Sequence, residues 1–127
     1  MSNRSELIKQ FYEAFSKVDR NDFVENLLDL NFTFSAPPDP LLNRDEFFKK
    51  CWPRGNNLKD IKYVRIIESG EEVVITHKYI KPDGAKGCNT DIFTFDGDKI
   101  TRLEVYFGWD ISTNNKRHDS NQSDLVN

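Results

Sequence analysis

One carboxylate in this sequence, that of Asp91, lies in a pattern that predicts its burial among aromatic residues. Asp91 lies two residues before Phe93 and four before Phe95, in the segment 89–109 that reads NTDIFTFDGDKITRLEVYFGW. Side chains two apart on a strand share a face, so Asp91 would lie among aromatic rings if that face is the core. A carboxylate there is costly unless it is paired, neutralised or used in chemistry. Asp91 is therefore the candidate acid/base residue.

His77 is the predicted partner of Asp91. If the hairpin between the two strands is centred on Gly84, positions 77 and 91 lie directly opposite, with Cβ atoms about 4.5–5.5 Å apart. They would share a face with Tyr79 and Phe93. A His–Asp dyad in an apolar pocket can remove a proton next to a carbonyl group and return it elsewhere. The pair could also be a structural ion pair or an exposed cross-strand pair, and a register slip of one residue would separate it.

Further polar and aromatic residues are candidates for the same site. Glu104 and Tyr106 share a face of the last predicted strand, where Glu104 could contact a substrate and Tyr106 could donate to an oxyanion. Packing or a dimer contact would also explain Tyr106. The pocket is predicted to be lined by the aromatic residues Tyr12, Phe15, Phe34, Phe48, Trp52, Tyr79 and Phe93. Aromatic stripes of this kind also form ordinary cores.

Composition favours one folded domain with a real core. The chain has 127 residues, of which 37% are hydrophobic and 13% aromatic, and its net charge is −3. No long basic run supports nucleic-acid binding, and no apolar stretch is long enough to span a membrane. No phosphate-binding loop, Ser-His-Asp order or His-rich cluster appears, so we expect no metal and no cofactor. Cys51 and Cys88 lack metal-ligand spacing and fit a reducing compartment, which predicts a cytoplasmic protein.

The first half of the chain predicts the helices that would cover this site. Helices are expected from near Asn3, over 22–29 and over 44–51. Pro53 should end the third helix at Trp52, because the residue before a proline disfavours helical geometry. A short strand is predicted over 31–35. The run 36–40 contains three prolines and is predicted to be irregular.

The second half of the chain predicts an antiparallel meander. Its strands are expected over 61–68, 72–81, 88–95 and 99–107. The turns between them carry Gly70, Gly84 and Gly97. Helices followed by such a sheet are an α+β pattern, with the helices on one face of the sheet and room for a pocket between the layers. Residues 1–111 would form this domain, and 112–127 a polar, flexible tail.

The order of these elements resembles the nuclear transport factor 2-like superfamily and, within it, the SnoaL-like group. The resemblance covers roughly residues 5–110 and rests on LIKQFYEAF, the short helix before NFTFS, the helix DEFFKKCW and the strands TDIFTFDGDKITRLEVYF. It implies a cone-shaped α+β barrel, in which a curved antiparallel sheet and three N-terminal helices enclose a deep pocket. The superfamily includes isomerases, cyclases, dehydratases, hydrolases and non-catalytic modules, so the fold alone does not assign a function. The sequence lacks a clear Asp-Arg-Asp set of the epoxide hydrolase type and the Tyr-plus-Asp pair of the ketosteroid isomerases.

The resemblance implies a protein that binds a small apolar organic ligand. Asp91 would be the acid/base, His77 its partner and Tyr106 an orienting donor in a cofactor-free isomerase, cyclase or dehydratase. The alternative is a non-catalytic ligand-binding or dimeric interaction module, in which the polar groups only satisfy each other. A homodimer through the outer face of the sheet is predicted, because the last strand carries apolar or aromatic residues on both faces.

Overall fold

The computed structural model describes residues 3–37 and 39–111. Its helices are α1 (Arg4–Ser16), α2 (Asp22–Leu27) and α3 (Arg44–Glu46), and α3 continues into a π-helical segment (Phe47–Cys51) and a 3-10 helix (Trp52–Asn57). Its strands are β1 (Leu28–Ala36), β2 (Asp39–Asn43), β3 (Lys59–Ser69), β4 (Glu72–Ile80), β5 (Lys86–Asp96) and β6 (Lys99–Ile111). The predicted polar tail, 112–127, lies outside the described residues.

The six strands form one sheet in the order β2-β1-β6-β5-β4-β3. Strands β3 to β6 are the predicted antiparallel meander, and the α+β class is confirmed. Strand β1, however, runs parallel to β6, with Phe34 beside Leu103, so the sheet is mixed and the expectation of a wholly antiparallel sheet was wrong. A parallel pair cannot be joined by a tight turn, and here about half of the chain forms the connection.

Strand β2 begins inside the proline-rich run that was predicted to be irregular. It starts at Asp39 and pairs antiparallel with β1, placing Leu42 opposite Phe34. The strand lies at the edge of the sheet. Proline lacks a backbone N–H, and an edge strand has one side on which no ladder hydrogen bond is required, so Pro40 is compatible with this position. The prediction for 36–40 was therefore wrong at Ala36, which is the last residue of β1, and from Asp39 onward.

The third helix differs from the prediction at its end, because its α-helical part is shorter than predicted while the helical path as a whole is longer. The predicted start is correct, since Asn43 and Glu46 form a reciprocal capping box. The α-helical part ends at Glu46, but helical backbone angles persist through Trp52, at φ −53° and ψ −42°. Pro53 then occupies the first turn of the 3-10 helix, where no N–H donor is required. Pro53 therefore does not end the helical path, which continues to Asn57.

Close contacts hold the helices against one face of the sheet. The Arg4 guanidinium donates to the carbonyl oxygens of Gly70 and Gly97, so the start of α1 is tied to two hairpin turns. At the other end of α1, a Cβ built on Gly55 would lie 1.8 Å from the carbonyl oxygen of Phe15, so only glycine permits this approach. Helix α1 is thereby fixed along the sheet.

The two faces of the sheet differ sharply in burial. The inner face, beneath the helices, buries Ile75, His77, Asp91 and Phe93. The predicted phase of β5 is confirmed, because Asp91, Phe93 and Phe95 are buried while Ile92 and Thr94 are only half-buried. We call the opposite side the outer face, and it presents Ile67, Val74, Ile92, Glu104 and Tyr106.

Candidate functional site

The polar centre of the inner face consists of Tyr12, His77 and Asp91. The Tyr12 hydroxyl donates to Asp91 Oδ2 at 2.5 Å, and His77 Nε2 lies 3.1 Å from the same oxygen. All three side chains are buried, with His77 at 0% exposure and Asp91 at 4%. An ionised carboxylate can only accept hydrogen bonds, so the contact requires a proton on His77 Nε2. We call these three residues the Tyr-Asp-His cluster.

The register that brings His77 to Asp91 differs from the predicted one. His77 lies opposite Asn89, and Asp91 lies opposite Ile75, so direct opposition of His77 and Asp91 was wrong. The shift is by two residues, and two residues restore the same face of a strand. The pair is therefore diagonal across the two strands, which long and aromatic side chains can span.

Tyr12 reaches this centre because α1 buries one face against the sheet. Ile8, Phe11 and Tyr12 are buried on that face, and the Tyr12 ring packs edge-on against Phe93 at 5.8 Å between centroids. Burial, followed by the nearby Asp91 carboxylate, raises the pKa of Tyr12 well above its ordinary value. Tyr12 is therefore a protonated donor at neutral pH.

Two buried polar atoms of the cluster have no hydrogen-bond partner among the described residues. They are Asp91 Oδ1 and His77 Nδ1. An unsatisfied buried acceptor costs roughly 1–3 kcal/mol, and buried polar groups are normally paired. Both protein donors converge on Oδ2 of Asp91, which leaves Oδ1 as the unused acceptor. An arrangement of this kind suits a carboxylate that meets a donor from outside the protein.

Asp91 lines a cavity of about 300 Å³ between the helices and the inner face. This volume is at the lower end of the range for small-molecule sites. We call it the aromatic cavity; its lining residues are Phe11, Tyr12, Phe15, Phe34, Ala36, Phe47, Cys51, Arg54, Asn57, Leu58, Tyr79, Lys81, Asn89, Asp91, Leu103, Val105 and Phe107. Its walls are mainly apolar, and a few polar groups converge on it.

The structure brings about half of the predicted site residues to this cavity. Those that line it are Tyr12, Phe15, Phe34, Tyr79 and Asp91. Those that are buried but absent from its lining are Phe48, Trp52, His77 and Phe93. His77 lies behind Asp91 and touches the Tyr12 ring, with 5.0 Å between centroids. Its position suits orienting the carboxylate, not contacting a ligand.

Glu104 and Tyr106 lie on the outer face, so their predicted place in the pocket was wrong. Tyr106 is 53% exposed, and its hydroxyl donates to Glu104 at 2.8 Å. The reason is the register of β6, where Leu103 pairs with the inward-facing Phe93. Residues 104 and 106 must then point away from the helices.

The prediction missed several polar residues that line the cavity. Asn89 lines it two residues before Asp91, and the same period-2 argument that selected Asp91 could have found it. Tyr79 donates to Asn89 Oδ1 at 3.5 Å, a long contact. Arg54 and Lys81 also line the cavity. They come from a 3-10 helix and a strand end, and no local pattern marks them.

A second cavity, of about 540 Å³, lies on the other side of α1. It is lined mostly by charged and polar side chains, including Lys9, Glu13, Lys17 and Asp60. Tyr12 and Leu58 border both cavities. Most of the charged side chains in the second cavity are exposed, and two of them, Glu13 and Lys17, form an ion pair at 2.9 Å. The aromatic cavity is the better candidate because Asp91, which lines it, is buried and has one carboxylate oxygen without a hydrogen-bond partner among the described residues.

Within residues 3–37 and 39–111, no cluster of three or more His, Cys, Asp or Glu side chains has the arrangement of a metal site. The two cysteines of the chain, Cys51 and Cys88, are half-buried. No helix in the described part of the chain is long and apolar enough to cross a membrane.

Comparison with known proteins identifies the fold. No family model and no curated protein matches the sequence. Among solved structures, an NTF2-like protein of unknown function from Burkholderia pseudomallei is 20% identical, with a TM-score of 0.65 over 85% of this chain and 92% of that one. An NTF2-like protein from Anabaena variabilis is 19% identical, with a TM-score of 0.67 over 85% of this chain and 91% of that one. The chain has the nuclear transport factor 2-like fold.

A third structure with this fold carries a small ligand. It is a hypothetical protein with a ketosteroid isomerase-like fold from Catenulispora acidiphila, in complex with trimethylamine. It is 13% identical, with a TM-score of 0.61 over 81% of this chain and 85% of that one. The nuclear transport factor 2-like fold serves many functions, so the function has to be argued from the cluster and the cavity.

Proposed function

We propose that this chain binds a small organic molecule in the aromatic cavity and that Asp91 transfers a proton to and from it. The observation that supports this proposal is the geometry of one carboxylate. Asp91 Oδ2 is held by Tyr12 and His77, while Oδ1 has no partner among the described residues and the side chain lines the cavity. This is the arrangement of an oriented general base. The chemistry is that of a cofactor-free isomerase, cyclase or dehydratase of the SnoaL-like kind.

The proposed step is removal of a proton from a carbon next to a carbonyl group. Asp91 Oδ1 accepts the proton, and the electron pair moves onto the carbonyl oxygen to give an enolate. Tyr79 and Asn89 are the neutral polar side chains nearest along the inner face, and they suit a donor role toward that oxygen. The protonated Asp91 then returns the proton to another carbon or to a departing hydroxyl group. The apolar walls exclude water from this exchange.

Tyr12 and His77 act as positioning residues in this scheme. Both donate to Oδ2, so they fix the rotamer of the carboxylate and leave Oδ1 as the oxygen that could accept from a ligand. His77 is at 0% exposure and is absent from the lining of the cavity, so it does not contact the ligand itself. Tyr106 lies on the outer face, so the donor role predicted for it is assigned instead to Tyr79 and Asn89 on the inner face.

A second candidate function is binding without catalysis, and the same cluster favours it in one respect. Oδ2 of Asp91 is already satisfied by two donors, as expected of a polar network that only stabilises the core. In that case Oδ1 would accept a hydrogen bond from a bound ligand and no proton would move. A binding module of this kind needs the cavity but not a basic Asp91.

A proton-transfer probe separates the two functions. In 5-nitrobenzisoxazole, loss of one C–H proton to a base breaks the N–O bond and gives a coloured cyanonitrophenolate. If Asp91 is a general base, wild-type protein opens this ring at least about 10²-fold faster than Asp91→Asn. Tyr106→Phe, altered on the outer face, is the matched control and keeps the wild-type rate. Equal rates for wild type and Asp91→Asn, with the probe bound to both, would instead establish the binding module.

A further inference from the structure

The lining of the aromatic cavity is polar at both ends, and the two ends carry opposite charge. Asp91 is the buried acidic group. Arg54 is exposed and Lys81 half-buried, so these two cations line the part of the cavity that opens to solvent. Aromatic and aliphatic side chains form most of the wall between the ends, together with the polar Asn89. A ligand that matches this distribution has an apolar body and an anionic group at one end.

The topology explains why Arg54 and Lys81 meet at the same end. The 3-10 helix that carries Arg54 leads directly into β3, whose first residue, Lys59, pairs with Ile80. Lys81 follows Ile80, so the helix end and the strand end lie side by side. The backbone N–H of Lys81 bonds to Ala85, six residues along the chain from Asp91. Six residues of strand span on the order of 20 Å, so cations and carboxylate are at opposite ends of the cavity.

The surrounding sequence strengthens the positive field at this opening. Residues 47–59 contain four cations, Lys49, Lys50, Arg54 and Lys59, and no acidic residue. Residues 78–86 contain three lysines and one aspartate. The whole chain has a net charge of −3, so these two segments are locally positive in a chain that is acidic overall. A cleft with apolar walls and charges of one sign focuses the field and attracts the opposite charge.

We infer that the ligand of the proposed function is an amphipathic carboxylic acid. Its carboxylate binds Arg54 and Lys81 at the opening, and its apolar body lies against Phe15, Phe34 and Leu103. Its far end presents an acidic C–H or a hydroxyl group to Asp91. This inference rests on the proposed function, since it assigns the substrate class of the same cavity. Arg54 suits the role because a guanidinium matches a carboxylate with two parallel hydrogen bonds.

The test compares one anionic probe with its neutral counterpart. Calorimetric titration with trans-cinnamate and with cinnamide, at low salt, separates the charge of the ligand from its apolar body. We expect wild-type protein to bind cinnamate roughly tenfold more tightly than cinnamide. In the double variant Arg54→Gln, Lys81→Gln, this preference disappears, while cinnamide still binds and shows that the cavity is intact. Lys49→Gln, an exposed cation of the same segment outside the lining, keeps the wild-type preference.

Three results would count against the inference. Equal affinity of wild-type protein for both probes overturns the acidic ligand and leaves the proposed function standing. A cinnamate preference that survives in the double variant overturns the assignment to Arg54 and Lys81. Failure of both probes to bind at millimolar concentration overturns the proposed function together with the inference. Added salt provides a further check, because it should weaken cinnamate binding and leave cinnamide binding unchanged.

Discussion

Replacing Tyr12 by phenylalanine removes one hydroxyl group from the centre of the protein and little else. The ring keeps its packing against Phe93 and His77, so the apolar contribution is conserved. What is lost is the hydrogen bond to Asp91 Oδ2, at 2.5 Å. His77 remains within 3.1 Å of the same oxygen, so the carboxylate keeps one of its two donors.

The expected loss of stability follows from the burial of Asp91. A hydrogen bond to a charged group contributes about 1.5–3 kcal/mol. Since His77 still serves Oδ2, we expect a loss near the lower part of that range, about 2 kcal/mol. For 127 residues this corresponds to a decrease in Tm of about 7 °C. Tyr106→Phe is the matched control, because its hydroxyl also donates to a carboxylate but the residue is 53% exposed. Its loss should stay below about 0.5 kcal/mol.

Alkaline pH adds a second, independent signature. In the unfolded chain Tyr12 has the ordinary tyrosine pKa of about 10. In the folded protein burial and Asp91 raise its pKa well above that. The folded state thus retains a proton that the unfolded state has lost, and stability falls by about 1.4 kcal/mol per pH unit above pH ~10. Phenylalanine has no such proton. The advantage of wild type over Tyr12→Phe is therefore complete below pH ~10 and shrinks above it.

Urea unfolding followed by tryptophan fluorescence, at pH 7 and from pH 10 to 11.5, measures both effects. Tyr63, whose pKa burial raises to about 12, is present in both proteins and cancels in the difference. If Tyr12→Phe costs no more than Tyr106→Phe at pH 7, Tyr12 does not hold a buried carboxylate. If the difference between wild type and Tyr12→Phe stays constant through pH 11.5, the shifted tyrosine pKa is wrong.

Three further outcomes follow from the backbone and the outer face. Gly55→Ala should lower the free energy of unfolding by at least about 2 kcal/mol in thermal unfolding, because its Cβ would overlap the Phe15 carbonyl. The control Gly70→Ala should cost only about 1 kcal/mol, because Gly70 has φ +61° but open space around it. Val18→Gly should stabilise the protein by about 1 kcal/mol, because Val18 has a φ of 53° just after α1, a conformation that is strained for valine but not for glycine. An unchanged or lower Tm would show that Val18 is not strained. Sedimentation at micromolar concentration should show a dimer with twice the chain mass of 14.9 kDa. Ile67→Glu on the outer face should give a monomer. A wild-type protein that sediments as a monomer would disprove the homodimer.

The sequence was sufficient to predict the phase of β5. Phe93 and Phe95 outweigh Ile92, Thr94 and Asp96 in the other phase, so the aromatic face was predicted as the core, and burial of the Asp91 carboxylate followed. The phase of β6 could not be obtained in this way, because aromatic residues occur in both of its phases. Pairing of Leu103 with Phe93 settles that phase, and such a register is set between strands, not within one. Glu104 and Tyr106 were misplaced for this reason.

Contacts between distant parts of the chain could not be predicted from the sequence either. Tyr12 was expected in the pocket, but nothing in its helix indicated a bond to Asp91, which is 79 residues away. The parallel pairing of β1 with β6 is equally remote and leaves no local signal. The π-helical segment has no periodic signature in five residues. Arg54 and Lys81 meet only because the 3-10 helix enters β3 beside the end of β4.

The central claim is that a ligand enters the aromatic cavity and meets Asp91 Oδ1. Crystallography of the protein with 5-nitrobenzotriazole, which has the shape of the proton-transfer probe but cannot ring-open, tests it most directly. The structure predicts the ligand between Phe15 and Leu103, with a ring N–H within about 2.6–3.2 Å of Asp91 Oδ1. Ligand density only in the second cavity, near Lys9, or an aromatic cavity left without ligand at saturating concentration would contradict the claim.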